Sequence, residues 1–163
     1  MRADRPRYRA TPMHPDFIGE NVPGNKVWFG STVRYLSEEE RAELKLSTRG
    51  GRIFDAKGNL FDTAGSPALE SNTHRAIFVM DEHGNFFASK SHFVGRFHHS
   101  SLLAGAPVAA AGEIEVRNGE LIAISDRSGH YLPGRKFTDQ AIAELQRCGV
   151  DTGRIRQDLI ATS

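Results

Sequence analysis

Apolar positions along this chain fall into short runs separated by turn-forming clusters, a spacing that predicts strands more often than helices. Ala76–Met80 is continuously apolar, as a strand buried on both faces would be. Asp81-Glu82-His83-Gly84-Asn85 supplies a turn, and residues 86–89 return. Residues 97–101, 107–116 and 121–125 then read as further strands of an antiparallel meander. Asn118-Gly119 between apolar runs predicts a type I′ hairpin, which would set Arg117 opposite Glu120, Val116 opposite Leu121 and Glu113 opposite Ile124. Helical signals lie outside this block. Ser37 with Glu40 forms a capping box for a helix to about residue 46, and Thr138 is a plausible N-cap for a helix through Cys148 with Gly149 after it. Residues 52–54 and 60–61 suggest a small hairpin, and residues 64–74 a loop. The fold class expected is α+β: a central antiparallel β meander with short flanking helices at its N- and C-terminal sides.

Composition narrows this picture. With 163 residues the chain has the size of one domain, here an irregular arm over residues 1–24 and an α+β unit over 25–163. The arm carries Arg2, Arg5, Arg7 and Arg9 and reads as mobile and solvated. Overall, 21 basic and 20 acidic residues leave a net charge of +1, which argues against a dedicated nucleic-acid or membrane-surface protein while allowing a local basic patch. Cys148 is the one cysteine and cannot form an internal disulfide. No transmembrane run or signal-peptide pattern is present, so a soluble polypeptide is expected.

Candidate chemistry gathers in Phe97-His98-His99-Ser100-Ser101 and Ser128-Gly129-His130-Tyr131, which bracket the hairpin. If residues 97–101 form a strand, His99 and Ser128 lie two strands apart, about 10 Å. On such a strand His98 and His99 point to opposite faces, so only one can serve a shared site. Glu113 and Glu115 share a face of the next strand beside apolar partners, an environment that raises a carboxyl pKa toward acid/base use. Tyr131 can stack a planar ligand, Gly129 permits close backbone approach, and Arg34 can meet a phosphate. His92, His98, His99 and His130 lack metal-ligand spacing, so no metal is expected.

The segments AIFVMDEHGN, FHHSS, PVAAAGEIEV-NG and SGHYLP resemble C-terminal toxin domains of bacterial polymorphic effectors of the Rhs and type VI secretion kind. VRYLSEEERAELKL and GRIFDAKGNLFDT extend that resemblance over about three quarters of the chain. A similar FHHSS…AAGE…NG…SGHY block occurs in plant IQ-motif calmodulin-binding proteins, but the IQ motif itself is absent here. The toxin resemblance implies an effector, possible ADP-ribosyl transfer with NAD as substrate, a macromolecular target in a recipient cell, a cognate immunity protein and delivery by a secretion system. It casts Glu113, His99, His130 and Ser101 as catalytic, and Arg34, Ser100, Ser128, Gly129, Tyr131 and His98 as cofactor-binding. A non-catalytic binding domain and a histidine-dependent nuclease or hydrolase are the alternatives.

Overall fold

The structure, a computed structural model, describes residues 5–66 and 74–163. It is α+β, as the patterning predicts. A five-stranded sheet runs in the order β4-β3-β5-β6-β7, with β3 Ala76–Met80, β4 Phe86–Ser89, β5 Ala110–Arg117, β6 Glu120–Ser125 and β7 Arg156–Asp158. All pairings are antiparallel except β6 with β7. A separate ribbon pairs β1 Ser47–Arg49 with β2 Arg52–Phe54. The unbroken apolar run of β3 has a direct cause. Phe78 and Met80 face one core cluster with Ile114, Ile124 and Leu145, whereas Ile77 and Val79 face a second with Leu36, Leu102 and Tyr131.

Helix α3, Arg135–Arg147, covers the first face and starts at Gly134, earlier than the expected Thr138 cap. Thr138 is instead buried within the helix. The stop is as expected: Gly149 adopts φ 89°, and the amides of Gly149 and Val150 donate to the carbonyls of Gln146 and Leu145. The capping box of Ser37 and Glu40 forms, but α1 spans only Glu38–Ala42. It ends early because Leu44 and Leu46 bond the outer edge of β4 through Ala88 and Phe86.

The largest departure is residues 97–101. They form no strand. Phe97 bridges back to Phe93, and α2, His99–Leu102, follows, while β3 takes the expected place beside β5. At the Asn118-Gly119 turn the pairs Arg117–Glu120 and Val116–Leu121 are as read, but a bulge between Glu115 and Val116 shifts the rest. Glu113 therefore pairs with Ser125, and Glu115 with Ala123. The N-terminal segment, expected to be mobile and solvated, is pinned to the domain. Arg7 and Tyr8 bond Glu144, Thr11 bridges Val108, and the His14 amide donates to the carbonyl of His130. The expected loop at 64–74 lies partly outside the described residues, as do Arg2 and the start of the arm.

Candidate functional site

Two of the expected clusters do converge, on an acid from the N-terminal segment. Glu20 has no solvent exposure, and four donors meet its carboxylate. Its Oε1 accepts from the Ser100 hydroxyl at 2.6 Å and from the Tyr35 hydroxyl at 2.8 Å. Its Oε2 accepts from His130 Nε2 at 2.7 Å and from the Trp28 indole at 3.0 Å. Burial alone would raise the Glu20 pKa and is the largest single influence. The bonds from His130, Ser100 and Trp28, with the charge of His130, together outweigh it and hold the carboxyl at about 2. Tyr35 is pushed the other way, above its ordinary value, by burial and by its bond to the same carboxylate.

Aromatic rings stack around this hub. Phe17 lies 3.9 Å from the His130 ring centroid, His98 lies 4.5 Å from His130, and Trp28 lies 5.0 Å from His98. The Gly95 amide donates to His98 Nε2, so the His98 proton sits on Nδ1 and faces His92 Nε2 at 3.1 Å. His92 Nδ1 then carries a proton with no hydrogen-bond partner among the described residues. Burial, followed by the charge of His130, lowers the pKa of both His92 and His98 to about 4. Among the described residues no three His, Cys, Asp or Glu side chains are grouped to hold a metal ion.

None of the remaining candidates bonds Glu20, although His99 meets the His92 ring edge-on at 5.9 Å. His99 turns toward β5, with Nε2 2.7 Å from the Gly112 carbonyl, and the Ser101 hydroxyl accepts from the His98 amide at 3.0 Å. Glu113 is fully buried on β5, where the Ser125 hydroxyl donates to it at 3.3 Å and Arg75 lies 3.8 Å away. Because of the bulge its β6 partner is Ser125, not the isoleucine expected, while on β3 it pairs with Ile77. Tyr131 donates to the Ala106 carbonyl within the second core cluster. Ser128 is buried and Gly129 exposed in the loop before His130. Glu20, Trp28 and Tyr35 were not found from the sequence. Glu20 lies in a stretch without periodicity, and its partners come from four separate segments.

Residues adjoining the hub in the chain line an open cleft of about 610 Å³. One wall carries Ser31, Thr32, Arg34, Leu36, Glu40 and Glu43; the other carries Ser89, Ser91, Phe93, Arg96 and Phe97. Behind it the walls are sewn together by the Arg34 amide on the Arg96 carbonyl, at 2.8 Å, and by the Leu36 amide on the Ser101 carbonyl, at 3.0 Å. The Val33 amide donates to the Glu20 carbonyl, fastening the first wall to the hub. The Arg34 guanidinium pairs with Glu40. The Arg96 side chain is exposed and has no hydrogen bond or ion pair among the described residues.

The sequence profile of the IQ motif-containing protein middle domain matches residues 40–137. The chain belongs to this family. IQ domain-containing protein IQM3 of Arabidopsis thaliana is 35% identical over 124 residues, covering 76% of this chain and 26% of that protein. IQM1 of the same plant is 30% identical, over 77% of this chain and 24% of its own length. IQM2 is 33% identical, over 73% and 19% respectively. The chain thus spans about a quarter of the length of the curated relatives it matches. No solved structure matches.

This membership overturns the bacterial toxin assignment. The effector function, as ADP-ribosyltransferase or as toxin nuclease or hydrolase, falls with it, as do the recipient-cell target and the immunity protein. Secretion into a target cell loses its support too. NAD had entered only as the substrate of that reaction. The residues cast as catalytic also have separate partners: Glu113 bonds Ser125 of β6, whereas His130 bonds Glu20 in the hub. No helix among the described residues is long and apolar enough to cross a membrane.

Proposed function

We propose that this middle domain is a binding module whose cleft takes an anionic ligand with an apolar body. One observation carries the reading: Arg96 presents an uncommitted guanidinium in a cleft of about 610 Å³, beside Phe93, Phe97 and Leu36. Guanidinium is suited to carboxylate and phosphate, and the rings supply apolar contact at low entropic cost. Arg34 stands opposite as a second cation, already oriented by Glu40. The hub anchors one wall of the cleft through the Val33 amide on the Glu20 carbonyl, which lowers the cost of binding.

Family membership also makes calmodulin a partner to consider. The 163 residues contain no IQ motif. Among the described residues, α3 alone has the length to fill a calmodulin groove, and its apolar face is committed to the core through Phe137, Ala141 and Leu145. The cleft is therefore the reading these residues favour.

Trp28 is the one tryptophan and packs beside Gly95, next in the chain to Arg96 of the cleft, so its fluorescence is the readout. Phenyl phosphate, an anion on an aromatic ring, should give a saturable change. Arg96→Ala should weaken it about tenfold, the ordinary worth of a charge-assisted hydrogen bond. Absence of saturation, or equal binding by the Arg96→Ala chain, removes the proposal.

A further inference from the structure

Of the eight large apolar side chains left exposed among the described residues, five sit on two loops: Ile18, Val22 and Phe29 on one, Phe93 and Val94 on the other. Phe29 is 88% exposed and Ile18 69%. Each follows a ring locked in the stack, Ile18 after Phe17 and Phe29 after Trp28, so the floor is rigid while its neighbours face solvent. The loops touch. A Cβ on Gly95 would lie 3.2 Å from Ser31 and 3.4 Å from Trp28, which joins Phe93 and Val94 to the same tip. Exposed Lys26, Arg34 and Arg96 lie on these two loops and the strand-like segment between them. Of the acids nearby, Glu20 is buried in the hub, Asp16 is 3.6 Å from His14, Glu40 is taken by Arg34, and Glu43 lines the cleft.

Deepening the binding-module reading, on which it rests, we infer that this tip docks on anionic membrane surface, with the two loops entering the interface and a lipid phosphate headgroup in the cleft. Apolar residues on protruding loop tips with cations beside them match the chemistry of that interface, where acyl chains take the side chains and headgroups take the charges. A net charge of +1 for the whole chain does not oppose this, because screening confines the attraction to the local face. The attachment is peripheral.

Co-sedimentation of the full chain with vesicles tests it. Binding is expected to mixed phosphatidylcholine–phosphatidylserine vesicles and not to phosphatidylcholine alone. Replacing Phe29 and Val94 together by serine should weaken vesicle binding at least about tenfold, from the loss of apolar insertion. Neither residue lines the cleft, so phenyl phosphate binding and the melting temperature should be unchanged. Phenyl phosphate binding without binding to mixed vesicles overturns the membrane inference and leaves the cleft reading standing. Loss of both removes both. Equal binding to the two vesicle types, or by the doubly substituted chain, also overturns the inference.

Discussion

Glu20 is the residue on which the site turns, and its environment sets a pH dependence. Above pH 6.5, His92 and His98 are neutral whether the chain is folded or not. Between 6.5 and about 4 the unfolded chain takes up protons that the folded chain refuses, so stability falls as pH falls through that window. Glu20 acts lower, since its folded value of about 2 against an ordinary 4.5 means that its contribution is complete above 4.5 and lost toward 2. Urea unfolding midpoints should therefore decline from neutral pH downward, with a second limb below 4.5. Glu20→Gln should make that limb shallower, leaving the part due to Glu144, and cost on the order of 3 kcal/mol at neutral pH, because donors are left facing a neutral amide. A midpoint that is level from pH 7 to 4 contradicts the buried neutral histidines. His98, Ser100 and His130 were legible in the sequence as polar groups in apolar surroundings. Their acceptor was not, because nothing local marks Glu20 as the residue that a distant loop will enclose.

At the scale of elements, what the sequence revealed and what it concealed divide by the range of the forces. The capping box at Ser37, the stop at Gly149 and the turn at Asn118-Gly119 are made by neighbours in the chain, and all three form. Residues 97–101 went wrong because their composition suits an edge strand, while tertiary contacts hold His98 and Ser100 in a helical turn against Trp28 and Glu20. The bulge at Glu115 was equally invisible, since either register buries the same apolar residues, and it moved Glu113 from isoleucine to Ser125. Gly112 shows how closely these strands are fitted. A Cβ there would stand 1.8 Å from the Ser125 carbonyl oxygen, a backbone atom that cannot move aside. Gly112→Ala should destabilise the domain by about 3 kcal/mol or more, read from chemical denaturation. A change within experimental scatter means that β5 and β6 separate more freely than this packing allows.

For the whole molecule, the family match begins at residue 40, yet the acceptor at the centre of the hub lies twenty residues earlier. The N-terminal segment is thus part of the domain's interior, not a tail ahead of it. Arg7 and Tyr8 dock on Glu144 of α3, Phe17 closes the stack on His130, and Glu20 accepts from Trp28, Tyr35, Ser100 and His130. The bonds from Arg147, Tyr8, Arg7 and Cys148 hold the Glu144 carboxyl at about 2 although burial, the largest influence, works against them. A chain lacking residues 1–24 would leave Trp28, Tyr35, Ser100 and His130 buried around an absent carboxylate, each at a desolvation cost of about 1–3 kcal/mol. That sum is comparable to the whole stability of a domain of this size. The truncated chain should show no cooperative thermal transition in near-ultraviolet circular dichroism, and a synthetic peptide of residues 5–24 should restore one. A cooperative melt without the peptide would make the segment an appendage and remove the hub as the support of the cleft.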